Sequence, residues 1–299
     1  MMTNLGDLEV FTRVVLTGSM SAAGRALGFS PAVISKRIKR LEDRLGTRLL
    51  QRTTRQISLT EAGQGFYDRV LGVLAGVEDA EAFASGRSGQ PQGTLRITAP
   101  TSFGRMHVAP HLARFIEMHT ELVVNIVLSD DFTDIVAEGF DLAIRIGELD
   151  DSSLVARKLV PVRRILCASP AYIERYGIPE TVDDLSRHVC LRQHNHDTWK
   201  LESRQGSLGY KPLGRLITNS SEVVREAVLS GAGIALRSTW DIGGDLKSGR
   251  LLQVLPAWEG SSNLFVSALY PSRQFLPAKV RLFIDYLAGL YGPQPYWER

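Results

Sequence analysis

Residues 30–46 read SPAVISKRIKRLEDRLG, and the rest of the chain is organised around them. Ser30 is a good N-cap, and Pro31 occupies the first helical position, where a missing N–H costs nothing. Ile34, Ile38, Leu41 and Leu45 recur at the spacing of one buried helix face. Ser35, Lys36, Arg37, Lys39 and Arg40 crowd the opposite face, and Gly46 is placed to end the helix. A Lys/Arg run alone usually marks a solvated face, but the flanking sequence argues otherwise. Ser19 to Leu27, SMSAAGRAL, predicts a short helix capped by Ser19, with Ala22, Ala23, Ala26 and Leu27 as a small-residue face. Gly28 and Phe29 then form a tight turn. Two helices joined by a Gly-containing turn, the second of them basic, make a helix-turn-helix pattern.

Charge supports a nucleic-acid partner. Residues 1–55 carry ten Lys/Arg and four Asp/Glu, a net +6, within a chain whose total is only +3. A basic head on a near-neutral chain is the electrostatic footprint of a DNA binder. The 299 residues allow two or three domains. No apolar run approaches the roughly 18 residues of a membrane span, and a signal-peptide core is lacking, so a cytoplasmic protein with no membrane partner is expected. Cys167 and Cys190 form no metal-binding spacing and fit buried thiols in a reducing compartment; a two-cysteine redox switch is the alternative.

Leu5 to Leu16 predicts a first helix with Leu8, Phe11, Val14 and Val15 on one apolar face. Beyond Gly46, TRLLQRTTRQISL suggests a two-stranded wing with Arg52, Thr53, Thr54 and Arg55 at its tip, suited to phosphate or the minor groove. Thr60 should cap a long helix to about Ser85. In it Phe66, Val70, Val73, Val77, Ala80 and Ala84 keep a 4-3-4-3-4 spacing, read as a dimerisation seam, with a core helix as the alternative. Leu71 and Leu74 form a second stripe that fits packing against the head. The expected domains are a DNA-binding domain at 1–59, a linker and dimerisation helix at 60–86, a hinge linker at 87–93 and an effector domain at 94–299.

Past the linker GRSGQPQG (86–93), strands and helices alternate. Strands are expected at 94–100, 123–129, 140–147, 163–169, 215–219, 233–238 and 264–271. Helices are expected at Phe103–His119, Thr133–Glu138, from Pro170, at Ser221–Ser230 and at Ala278–Leu290, with polar loops through 186–212. The alternation predicts parallel sheets flanked by helices. It divides into two α/β lobes, the first about 94–162 with 267–299 and the second about 163–266. The chain should cross near 160–163 and 264–267, leaving a hinged cleft for a small ligand.

The N-terminal third resembles the LysR-type transcriptional regulators. Leu8, Phe11, Val14, Gly18, Ser19, Ala22, Ala23, Leu27, Ser30, Ser35, Ile38, Leu41, Glu42, Leu45, Gly46, Leu49, Arg52, Leu59, Thr60 and Gly63 fall where that family's motif expects them. APTSFGR (99–105), SGAGIALRS (230–238) and SALYPSRQFLPAKVRLFIDYL (267–287) extend the resemblance over the whole chain, towards the CrgA-like and D-malate-regulator-like subgroup. Pro31 and Lys36 depart from the Gln and Arg of many members. Lys36 offers a point charge where Arg would make a bidentate pair with guanine, so the departure bears on sequence preference.

The resemblance implies an α/β chain with an N-terminal all-α winged helix-turn-helix, a long linker helix and a two-lobed periplasmic-binding-protein-like effector domain. It implies a homodimer or homotetramer on an imperfect palindrome in double-stranded DNA, with RNA polymerase as a further candidate partner. DNA contacts are expected from Ser30, Pro31, Ala32, Ser35, Lys36, Arg37, Arg40, Arg52, Thr54 and Arg55. Effector contacts are expected from Thr101, Ser102, Phe103, Ser129, Asp130, Ile146, Gly147, Asn219 and Ser220, at strand ends. Ser102 and Ser220 lie at helix starts, where free N–H groups favour an anion, so a small carboxylate is the expected effector. Simple helix capping by these Ser and Asn residues is the competing reading.

No cofactor, metal or catalysis is expected. GxSxG, HExxH and GxxxxGK[ST] are missing, and Leu236 stands where a dinucleotide fingerprint beginning at Gly231 needs its third glycine. His194 and His196 have no Cys or His at matching spacing and read as a polar loop rather than a zinc site. A solute-binding protein would share the two lobes but has no use for a basic helical head.

Overall fold

A computed structural model describes residues 4–52, 57–84, 91–131, 135, 138–148, 154–194, 198–214, 216–271 and 276–298. The head consists of α1 (Leu5–Thr17), α2 (Met20–Leu27) and α3 (Pro31–Leu45), followed by the antiparallel pair β1 (Leu50–Arg52) and β2 (Ile57–Leu59). Its helix ends follow local chemistry. Ser19 Oγ accepts from the Ala22 amide at 3.3 Å and Ser30 Oγ from the Val33 amide at 3.4 Å. Gly18, Gly28 and Gly46 close α1, α2 and α3 in left-handed conformations that other residues adopt at a cost. Phe11, Val14, Ala23, Ile34, Ile38 and Leu41 form one buried core. Of the small face expected on α2, Ala23 is buried, Ala22 and Leu27 are half-buried and Ala26 is exposed; the tightest approach is at Gly24, where a Cβ would lie 2.5 Å from the Phe29 carbonyl oxygen.

The long helix α4 (Glu61–Ala84) begins under a Thr60 cap, its hydroxyl accepting from the Gly63 amide at 2.9 Å. The expected seam is corrected at its start. Val70 is 3 % exposed in the head core and Phe66 packs on it, their rings and chains meeting Phe11 and its neighbours, with Phe11 and Phe66 centroids 5.5 Å apart. These two residues therefore complete the head, as do Leu71 and Leu74. Val73 is 45 % exposed and Val77 half-buried; the side chain of Ala80 lies outside the described residues.

The effector domain starts with β3 (Gly93–Ala99). One continuous helix follows, made of α5 (Thr101–Phe103), a π-turn at Gly104–Val108 and α6 (Ala109–Met118), so it begins two residues before the expected Phe103. Then come β4 (Leu122–Leu128), β5 (Leu142–Gly147), β6 (Val155–Pro161), β7 (Arg164–Ala168) and α7 (Pro170–Tyr176). After a 3₁₀ turn at Asp183–Arg187 follow β8 (Cys190–Gln193), β9 (Trp199–Ser203), β10 (Gly206–Tyr210), β11 (Ile217–Thr218), α8 (Ser221–Leu229), β12 (Ile234–Ser238) and α9 (Thr239–Lys247). The chain ends with β13 (Leu252–Gln253), β14 (Glu259–Gly260), β15 (Phe265–Tyr270), α10 (Ala278–Tyr291) and a 3₁₀ turn at Tyr296–Glu298.

The first lobe's sheet has the order β4-β3-β5-β15-β6, and the second the order β10-β9-β14-β7-β12-β8-β11 with β13 on β7. Neither is purely parallel, which corrects the expectation. β3 runs parallel to β4 and β5, but β15 returns antiparallel between β5 and β6. Strand β6 has no counterpart among the expected strands, and residues 186–212, expected as polar loops, contain β8 and the β9–β10 hairpin. Most of the expected helix at Thr133–Glu138, and the linker residues 85–90, lie outside the described residues. The chain passes between sheets at 162–163 and returns at 261–264, where the Val162 amide donates to the Leu264 carbonyl at 2.9 Å and ties the two crossings together.

Candidate DNA and effector sites

The structure sorts the basic residues of α3 into two stripes. Ala32, Lys36 and Lys39 are exposed, and with half-buried Ser35 they lie opposite the core stripe Ile34, Ile38 and Leu41. Arg37, Arg40 and Arg44, spaced by three and four, turn instead towards α1 and surround Asp7, whose side chain is wholly buried. Arg40 Nη2 reaches Asp7 at 2.9 Å, and Arg37 donates to the Gly6 carbonyl at 3.4 Å while its guanidinium lies 4.7 Å from the centre of the Phe29 ring. Arg37 and Arg40 thus serve the head's own packing as well as facing solvent. Ser30 spends its hydroxyl on the α3 cap, with exposed Pro31 beside it. Arg52 ends β1, while Thr54 and Arg55 lie outside the described residues.

Asp7 and Glu42 escaped the sequence reading as positioning groups. Asp7 lies four and seven residues before Phe11 and Val14, on the buried face of α1, and that periodicity was the available signal. Glu42 accepts from the Leu49 and Leu50 amides at 2.9 and 3.1 Å through one carboxylate oxygen, fastening the wing's first strand to α3. The wing is fastened on its other side by close approach. A Cβ on Gly63 would lie 1.9 Å from the Leu49 carbonyl oxygen, so only glycine lets α4 pass there.

In the effector domain, the start of the α5–α6 helix meets α8 across the lobes. Arg105 donates to Glu222 at 3.0 Å, bridging the lobes beside Ser102 and Ser220. Glu148, after β5, accepts from Lys200 of the second lobe at 2.5 Å and from Ser261 at 2.8 Å, which holds its carboxyl below the usual range. Asp130 caps the first lobe's helix from outside, accepting from the Thr101 amide at 2.8 Å. Ser129 Oγ accepts from the Asp131 amide at 3.1 Å, and Ser220 Oγ caps α8 through the Val223 amide at 3.4 Å. Asn219 contributes its carbonyl to Gln193 Nε2 at 3.0 Å. Much of the expected polarity is therefore engaged in capping.

Ser102 differs from these. It is 2 % exposed and its hydroxyl has no hydrogen-bond partner among the described residues, a costly state for a buried polar group. Arg145 Nη2, on β5, is likewise buried without a partner among the described residues, and desolvation lowers that guanidinium's pKa. Phe103 is corrected: it is fully buried, with its ring 5.2 Å from Trp240 and 5.1 Å from His107, and belongs to the core rather than to a binding surface. Ile146 and Gly147 are half-buried at the end of β5.

Both cysteines are buried. Burial pushes the Cys167 thiol up to about 12 and the Cys190 thiol to about 11, leaving little reactive thiolate at neutral pH. Among the described residues no cluster of His, Cys, Asp and Glu is arranged to hold a metal. His194 is exposed in a turn and His196 lies outside the described residues. No described helix is long and apolar enough to cross a membrane.

Comparison with known proteins agrees with this architecture. Residues 5–64 match the family described as bacterial regulatory helix-turn-helix protein, lysR family, and residues 88–291 match the LysR substrate binding domain. The chain is 40 % identical to the HTH-type transcriptional regulator DmlR of Escherichia coli K12, over 96 % of this chain and 94 % of that one. It is 34 % identical to the regulator CrgA of Neisseria meningitidis, over 98 % of each. The solved structure of the Vibrio cholerae virulence activator AphB superposes with a TM-score of 0.59 at 32 % identity, covering 96 % of this chain and 99 % of that one. With a DNA-binding head joined to a two-lobed substrate-binding domain, the chain belongs to the LysR family of transcriptional regulators.

Proposed function

We propose that this regulator works as a homodimer or homotetramer on an imperfect palindrome in double-stranded DNA, with α3 in the major groove. Ala32, Ser35, Lys36 and Arg37 approach base edges or neighbouring phosphates, and Ser30, Pro31, Arg40, Arg52, Thr54 and Arg55 contribute phosphate or groove-edge contacts. The observation that carries this reading is the exposed Ala32–Lys36–Lys39 face of α3, opposite the buried Ile34–Ile38–Leu41 stripe. Exposed Val73 on α4 supports pairing there. Val123 on the edge strand β4 is 63 % exposed, with Val127, Ile116 and Met118 also exposed, which supports a further contact between copies through the effector domains.

A small carboxylate between the lobes is the effector, held near Thr101, Ser102, Ser129, Asp130, Ile146, Gly147, Asn219 and Ser220. The hydroxyl of Ser102, which has no partner among the described residues and lies one helical turn before Arg105 of the Arg105–Glu222 bridge, supports this placement. The protein acts in the cytoplasm, without catalysis or cofactor, and regulates access or recruitment of RNA polymerase. The test is a nuclease footprint on DNA flanking its own gene, at two salt concentrations and with candidate carboxylates added. A protected palindrome whose footprint shifts with one acid is expected. Sequence-blind protection alone would overturn the operator assignment, and indifference to every acid would overturn the carboxylate.

A further inference from the structure

The most unusual group in the head is Asp7. It is a single carboxylate with no exposed side-chain surface, set in the first turn of α1, where the helix dipole favours an acid. Three guanidiniums of α3 converge on it: Arg40 Nη2 at 2.9 Å, and Arg37 Nη1 and Arg44 Nη1 at 3.9 Å each. Their own exposure differs. Arg44 is 21 % exposed, Arg37 32 % and Arg40 63 %. One negative charge thus anchors three positive ones, and the excess charge stands at the edge of α3 beside the N-terminus of α1. Arg40 binds Asp7 through Nη2 alone, at 2.9 and 3.3 Å to the two carboxylate oxygens, which leaves the rest of its donor fork turned outward.

We propose that Asp7 is a positioning residue for DNA binding, holding the Arg40 guanidinium so that its outward N–H groups meet a backbone phosphate flanking the groove. Anchoring one edge of a planar guanidinium to a buried carboxylate fixes the other edge before DNA arrives. That removes the rotamer freedom a free arginine loses on binding. The inference rests on the proposed DNA role of Arg40. It also makes a prediction of opposite sign to simple electrostatics. Neutralising an acid in a basic head adds one positive charge, which by long-range attraction alone strengthens DNA binding. Positioning requires the reverse.

The test uses the full-length chain and a labelled duplex bearing the site that the wild type selects from random-sequence DNA, with affinity measured over a range of salt. D7N is expected to weaken binding about tenfold, the worth of one charge-assisted hydrogen bond. R40A is expected to weaken it similarly and to shallow the salt slope by about one contact. In the R40A background D7N should have no further effect. Equal or tighter binding by D7N, or the same loss with and without Arg40, overturns the positioning role. No effect of R40A overturns the placement of Arg40 at DNA. Thermal melting checks that each variant is folded. If D7N does not fold, R40K decides, because it keeps the charge and loses the fork: wild-type affinity of R40K overturns the proposal, and loss comparable to R40A supports it.

Discussion

His107 Nδ1 lies 2.7 Å from the hydroxyl of Tyr296, and its Nε2 lies 3.0 Å from the carbonyl oxygen of Trp240. A carbonyl can only accept, so Nε2 carries the proton and Nδ1 accepts from the tyrosine. This pair straps the molecule together. His107 sits in the π-turn of the first lobe, Trp240 in α9 of the second and Tyr296 in the C-terminal turn. Trp297 closes the aromatic cluster at 4.5 Å from His107, and Glu298 accepts from Thr239.

Tyr296→Phe should lower stability by about 1 kcal/mol, because buried His107 Nδ1 loses its donor while the ring packing is retained. Thermal melting of the two proteins at neutral pH measures the difference.

Burial lowers the pKa of His107, so the folded protein keeps it neutral where an unfolded chain takes up a proton near its ordinary value of about 6.5. The unfolded state therefore binds more protons on the acid side. Stability from this site is complete at high pH and falls as pH drops through and below about 6.5. Melting temperatures of wild type and His107→Gln, compared at pH 8 and pH 5.5, should show the steeper acid loss in the wild type.

Glu42→Ala should cost about 2 kcal/mol and weaken DNA binding, since the Leu49 and Leu50 amides lose their shared acceptor and the wing its tie to α3. A melt and a binding isotherm on the same duplex separate the two effects.

Gly63→Ala should prevent the head from packing, because the added Cβ meets backbone rather than a movable side chain. Gly65→Ala, two residues on, meets only the end of Arg69 at 3.4 Å and should stabilise α4 by about 0.5–1 kcal/mol. Circular dichroism melts of the pair read the contrast directly.

Ser102→Ala should leave stability unchanged or slightly raised, because it deletes a buried hydroxyl that has no partner among the described residues. The same change should abolish the footprint shift produced by the carboxylate effector. Retained response with Ser102→Ala would count against its place in the effector site.

The head was readable from sequence because its signals are local. Ser19, Ser30 and Thr60 cap the amides of residues three positions on, and Gly18, Gly28 and Gly46 terminate helices through their own backbone angles. The sheets were less readable. Whether β15 lies parallel or antiparallel to β5 depends on where the chain returns after building an entire second lobe, and no periodicity records that. The β9–β10 hairpin lacked alternation strong enough to stand out among polar residues.

The sequence by itself determined the helix-turn-helix, the basic head, the two-lobed plan and the family, since these rest on capping, helical spacing, charge and motif over short distances. Tertiary structure alone decided which polar groups are committed and which are spare. Asp7 meets α3 only when α1 folds across it, Phe66 and Val70 become core only when α4 docks on α1, and Thr101 finds Asp130 only when β3 and β4 pair. Each outcome depends on burial and on partners distant in the chain, which set the cost of leaving a charge, a ring or a hydroxyl without its contact.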